Sequence, residues 1–235
     1  ATWYSVLLTH GVRPYQNRVS SVPLPRSTNL IPVMPDWVKR TPKTAVDRYY
    51  FTSSGDLYLD RASDFVCFLD DKTGGLVIDR LAGIFTHVFV DELQDLAGYD
   101  LVLMEKLFRS GIDVLAVGDP RQATFVTNKG NKNKQFARAE IVDWVEAKQN
   151  EGLVTVEALT ETWRSNQTIC DFADALYPAL PRTVSLNVHV TGHDGIFRIC
   201  PDEAEEYYNT HSPMVLRWDK RTNTQGLPAT NIGVV

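Results

Sequence analysis

Apolar runs dense enough to predict secondary structure occupy the middle of this chain. A turn-rich stretch at 20–60 precedes them, and short β-prone pieces follow from Thr183 onward. His87 to Val90 is a continuous apolar run of the kind that forms a strand buried on both faces. Tyr99 to Arg109 follows, with Val102, Leu103, Leu107 and Phe108 spaced along one helical face, and Gly111 stands where a helix-terminating glycine belongs. Asp113 to Val117 predicts a second buried strand, closed by Gly118, Asp119 and Pro120. Strand, helix and strand at this spacing make a βαβ unit, which predicts an α/β fold with a parallel sheet flanked by helices.

Other segments are placed around that unit. Residues 3–8, WYSVLL, are too short for periodicity to choose between helix and strand. Pro23, Pro25, Pro32, Pro35 and Pro42 break residues 20–60 into what reads as an inserted or peripheral subdomain, with Tyr49, Tyr50, Phe51, Tyr58 and Leu59 as candidate anchors. DFVCFLD from Asp64 fits a short strand or helix segment; Gly74-Gly75 marks a turn before a helical stretch holding Leu76, Ile78, Arg80 and Leu81. Lys129 to Lys134 is a basic loop, Phe136 to Ala147 a helix, and Leu153 to Val156 a third strand. A helix carrying Ile169, Phe172, Ala173 and Leu176 stops at Pro178. The pieces VSLNVHV, GIFRIC and MVLRW then change the texture, which places a domain change near Glu161 to Ser165.

Composition narrows the class. The 235 residues are 43 % hydrophobic with a formal net charge of -5, enough for a real core and against a wholesale basic coat, though a local basic groove remains compatible. Cys67, Cys170 and Cys200 lack paired spacing and read as ordinary thiols of a reducing compartment. No apolar run approaches the ~18 residues of a membrane span, and the first residues lack a secretory pattern, so a cytoplasmic location is expected. His189 and His193 are four apart, but Gly192 and the β-prone surroundings disfavour a helical metal site.

The chemistry concentrates in HVFVDELQDLAGYD. An apolar strand that ends in Asp91, Glu92 and Asp95 sets carboxylates at the carboxyl edge of a sheet, where open α/β folds bind ligands. Two acids there can hold a metal ion and polarise a water beside a nucleotide. The plainer alternative is a solvated acidic helix start favoured by the helix dipole. A Gly-rich turn followed by Lys and Ser or Thr is absent from the chain.

Three clusters occur in order: VFVDELQD at 88–95, LAVGDPRQATF at 115–125 and ETWRSNQTI at 161–169. Together they resemble superfamily 1 DNA helicases of the UvrD/Rep kind, and WYSVLLTHGVRPYQ is similar to a segment of some members. The resemblance implies RecA-like parallel sheets with flanking helices. Residues 1–160 would form a partial first motor domain and 161–235 the start of a second, with the phosphate-binding loop upstream of Ala1 and later motifs beyond Val235. It implies ATP and Mg²⁺ as cofactors of the complete protein and single-stranded DNA as its partner.

By that resemblance Asp91 would bind Mg²⁺ and Glu92 would position and deprotonate the attacking water. Gln94 and Gln122 would report the γ-phosphate state, Asp119 would act as a sensor, and Arg164 as an arginine finger. Each residue also has a structural alternative. Asp119 suits a turn before Pro120, Arg164 a salt bridge near a helix start whose cap is Ser165 or Asn166, and Arg121 a local carboxylate or the inter-domain surface. Phe125 stands where the family carries a tyrosine directed at DNA, yet Val126, Thr127 and Asn128 replace the aromatic, arginine and glycine that normally follow, so core packing competes with stacking on a base. Lys129, Lys132 and Lys134, with Arg138, suit phosphate contacts or an ordinary solvated loop. Two functions follow: part of an ATP-dependent single-stranded DNA translocase or helicase, this chain alone being inactive, or a non-catalytic scaffold in a DNA-processing or defence complex that needs a protein partner or missing segments.

Overall fold

The computed structural model describes residues 1–22, 29–128 and 130–231. The chain forms two compact units, Ala1–Glu157 and Ala158–Val235.

In the first unit, helix α1 (Trp3–Val6) runs into a π-helical segment, Leu7–Val12. Strand β1 (Leu30–Ile31) pairs in parallel with β2 (Leu57–Tyr58), and the short helices α2 (Asp36–Lys39) and α3 (Val46–Tyr50) lie between them in sequence. The DFVCFLD run belongs to helix α4 (Ala62–Thr73), followed after the Gly74-Gly75 turn by α5 (Leu76–Ile84). Helix α4 is buried on nearly every side because α5, the π-helical segment and a later helix all pack on it. The aromatic anchors of residues 20–60 reach this same core: the Tyr50 and Phe51 rings lie 4.5 and 5.0 Å from that of Phe65. Full burial of each such ring contributes roughly 1.5–3 kcal/mol.

Strand β3 (His87–Val90), helix α6 (Tyr99–Phe108) and strand β4 (Asp113–Ala116) form the expected βαβ unit. The strands are parallel neighbours, with Val88 opposite Val114 and Val90 opposite Ala116. They are not buried on both faces: Phe89 is 75 % and Leu115 57 % exposed, while Val90 meets the core. Among the described residues every sheet has two strands, so the class is α/β with small parallel sheets and no RecA-like central sheet is formed.

Three further expectations are corrected. Leu153 to Val156 forms no strand, because no neighbouring segment supplies a ladder for it. The last turn of α6 is finished by Ser110, not Gly111. The Ser110 hydroxyl donates to the Leu107 carbonyl at 2.6 Å and accepts the Ile112 N–H at 3.2 Å. The helix placed at Phe136 to Ala147 is α7 (Ile141–Asn150), preceded by two 3-10 turns at Lys134–Phe136 and Arg138–Glu140. Arg138 has a left-handed φ of 66°, which interrupts any continuous helix there.

The second unit is sparsely packed, and Cys170 is its one buried hydrophobic residue among those described. Strand β5 (Glu161–Thr162) pairs in parallel with β6 (Val184–Ser185) across helix α8 (Gln167–Leu176). Helix α9 (Ala204–His211) lies between the β-prone pieces GIFRIC and MVLRW, and β7 (Leu216–Arg217) pairs with β8 (Thr230–Asn231). His193 stacks between Phe197 and His211, with centroids 4.1 and 4.0 Å away, and bonds the Tyr207 hydroxyl at 2.7 Å. GIFRIC forms no strand.

Candidate functional site

The acidic lip is built where β3 and β4 end together. The Val117 N–H donates to Val90 O at 2.8 Å, and the Leu93 N–H returns to Val117 O at 2.9 Å. Between them the backbone turns through Glu92 in a left-handed conformation, φ 55° and ψ 47°. For a residue with a Cβ this costs on the order of 1–3 kcal/mol and persists only where surrounding bonds enforce it. Leu93–Asp95 then forms a 3-10 turn.

Asp91 and Glu92 are both exposed at this turn. Asp91 Oδ1 accepts the Glu92 N–H at 2.9 Å. Gln94 is buried, 2 % exposed, and its amide is shared in two directions. Its Nε2 donates to Glu92 Oε2 at 2.6 Å, while its Oε1 accepts the Asp119 N–H at 3.0 Å. The first bond is charge-assisted and belongs to the stronger class. Gly118 makes the second possible, since a Cβ there would lie 2.6 Å from Gln94 Oε1 and 3.0 Å from the Leu93 nitrogen.

Asp119 is held as well as holding. Its Oδ1 accepts the Arg121 N–H at 3.0 Å, which is the turn geometry, and its carboxylate pairs with the Arg121 guanidinium, Nε to Oδ1 at 3.0 Å. Gln122 Nε2 donates to Asp119 Oδ2 at 3.2 Å. Burial pushes the Asp119 carboxyl upward, but the bonds from Arg121 and Gln122 outweigh it and leave the group below its ordinary value. Asp95 moves the other way, raised by burial and then by the charge of Glu92. The structure therefore brings Asp91, Glu92, Gln94, Asp119, Arg121 and Gln122 to one edge.

Phe125 is 38 % exposed and Lys132 and Lys134 are exposed, whereas Lys129 lies outside the described residues. Arg164 belongs to the second unit and is exposed. Its N–H donates to Thr162 Oγ1 at 3.2 Å and its carbonyl accepts Asn187 Nδ2 at 3.1 Å. Asn166 caps α8 by accepting the Ile169 N–H at 3.0 Å.

One cluster escaped sequence reasoning. The Asp100 carboxylate, fully buried, accepts Trp3 Nε1 at 2.6 Å and the hydroxyls of Ser63 and Thr127. Burial raises its pKa while these bonds oppose the rise. Thr127 also donates its N–H to Asp95 O at 2.8 Å, and Tyr4 donates to Thr127 O at 2.8 Å. Thr127 and Asn128, two of the residues replacing the aromatic-arginine-glycine run, thus tie the segment after Phe125 to the core. Their partners are far apart in sequence, and no local pattern signals them.

Residues 60–133 match the family model described as the UvrD/REP helicase N-terminal domain. This part of the chain is similar to that helicase domain, and the matched segment contains the whole Asp91 to Gln122 edge. No curated protein matches the chain.

Proposed function

We propose that the chain carries the hydrolytic edge and sensor segment of an ATP-dependent single-stranded DNA translocase. The observation that supports this reading best is the Gln94 bridge, which links Glu92 to the backbone of Asp119 inside the helicase-like segment. A bridge of that kind lets a change at the acid be felt one strand away.

The acids suit magnesium, a hard cation that takes one or two carboxylates and leaves its remaining positions to water and phosphate oxygens. Asp91 would hold it, with Glu92 nearby, and the ion would supply charge neutralisation at the phosphates. Glu92 orients a water and accepts its proton as the water attacks. Gln94 fixes the Glu92 carboxylate through Nε2, so the proton acceptor is aimed before substrate arrives. Arg164 offers a planar fork of donors suited to phosphate oxygens. The sequence has no Gly-rich loop ending in Gly-Lys-Ser or Gly-Lys-Thr, so in this reading other residues of the working protein cradle the β- and γ-phosphates.

A non-catalytic scaffold is the second reading, favoured by the use of Thr127 and Asn128 as structural anchors in the segment that otherwise couples to DNA. DNA-stimulated ATP hydrolysis by the full-length protein separates the two. The translocase reading expects turnover that Asp91→Asn and Arg164→Ala each abolish. Unchanged rates in both variants, or no turnover in the parent, would leave the scaffold.

A further inference from the structure

The buried Asp100 carboxylate lies in the first turn of α6, and its partners come from well-separated parts of the first unit. Trp3 of α1 and Ser63 of α4 both donate to Oδ1, while the Thr127 hydroxyl donates to Oδ2. A carboxylate taken this far from water is costly unless its oxygens are bonded. An apolar side chain filling the same space avoids that cost, so packing alone does not account for a carboxylate here.

The Thr127 hydroxyl is the point of choice. It carries one hydrogen and can donate one bond. Two acceptors lie within its reach, Asp100 Oδ2 and the Asp95 carbonyl, the latter 3.0 Å from Oγ1. The Ala97 N–H donates to the same Oγ1 at 3.2 Å. An ionised Asp100 draws the hydrogen to itself, because a charged acceptor makes the stronger bond. A group that donates from the position of Oδ2 would turn the hydrogen to Asp95 instead. Asp95 ends the 3-10 turn whose Gln94 side chain holds Glu92, and its own N–H donates to Glu92 O at 2.9 Å. The left-handed Glu92 backbone needs enforcement of this kind to persist.

We propose that Asp100 is a positioning residue for the acidic turn. By choosing the direction of the Thr127 hydroxyl it sets the bonds at the Asp95 carbonyl, and with them the placement of Gln94 and Glu92. That this placement serves water activation rests on the translocase reading; the tether itself does not.

The carbonyl carbon of Asp95, followed by NMR in the full-length protein without nucleotide, tests the tether. In Asp100→Asn the side-chain oxygen keeps Trp3 and Ser63, and the amide Nδ2 donates to Thr127 Oγ1. The hydroxyl then turns to Asp95, whose carbonyl carbon should move downfield as it gains a bond. In a Thr127→Val background, Asp100→Asn should leave that signal where it is. Equal movement in both backgrounds, or none in either, would overturn the proposal, since lost packing does not depend on the hydroxyl. ATP hydrolysis supplies a second readout. Asp100→Asn and Thr127→Val should each lower kcat about 10-fold with little change in the KM for ATP, and Thr127→Ser should keep the parent kcat. A parent that hydrolyses ATP and is matched in kcat by both of the first two variants would also overturn it. A parent without turnover, whose Asp95 signal responds as stated, keeps the tether and removes the translocase reading.

Discussion

Gln94 Oε1 accepts the Asp119 N–H at 3.0 Å, so a buried side chain of the acidic turn holds the backbone of the segment that follows the neighbouring strand. The same amide donates to Glu92, which makes Gln94, among the described residues, the side chain bonded to both the acid and the Asp119 turn. Gly118 exists to permit this approach. Gly118→Ala would press a methyl onto the Leu93 backbone nitrogen and onto the Gln94 side-chain oxygen, which must shift away from its bond to the Asp119 N–H. Overpacking of this kind costs about 1–3 kcal/mol. Urea denaturation should register that loss, and Gln94→Ala should slow ATP turnover with a smaller effect on stability. Wild-type stability in Gly118→Ala would show that the contact is slack.

Asp119 gives a pH signature. Its carboxyl sits below the ordinary value because the bonds from Arg121 and Gln122 outweigh burial. A depressed folded-state pKa contributes stability that is present above the unfolded value, about 3.9, and is lost as pH falls through the folded value. Stability should therefore fall on acidification below about pH 4, and Arg121→Ala should shift the Asp119 titration upward. NMR of the Asp119 carboxyl carbon is the direct check; an unmoved titration in Arg121→Ala would remove Arg121 as the cause.

The buried Asp100 cluster predicts a large stability effect from a residue remote from the acidic turn. Asp100→Ala strands the indole N–H of Trp3 and the hydroxyls of Ser63 and Thr127 without their acceptor. Unsatisfied buried donors cost about 1–3 kcal/mol each when they cannot relax, so a total of about 3 kcal/mol is expected by thermal or chemical unfolding. Faster amide exchange at Thr127 should accompany it, since the Thr127 N–H depends on the same cluster.

Periodicity carried the βαβ unit, the Gly74-Gly75 turn and helix α8, because each is specified by neighbours within a few residues. Strand burial was not legible: continuous apolar runs at 87–90 and 113–117 predict cover on both faces, and only the structure leaves Phe89 and Leu115 open. Helix α9 was missed because AEEYYNTH has no apolar stripe. The acids at 91 and 92 were visible at once. The bridge through Gln94 and the tie of Thr127 to Asp100 depend on contacts 25 and 27 residues apart, which no local pattern encodes.

In the proposed translocase, Glu92, aimed by Gln94, activates the water that cleaves ATP. Steady-state hydrolysis by the full-length protein with saturating single-stranded DNA, compared between the parent and Glu92→Gln, tests it most directly. Loss of a positioned proton acceptor is expected to reduce kcat by about 10²–10⁴-fold while ATP affinity is retained. A Glu92→Gln protein that hydrolyses ATP at the parent rate would remove Glu92 as the proton acceptor.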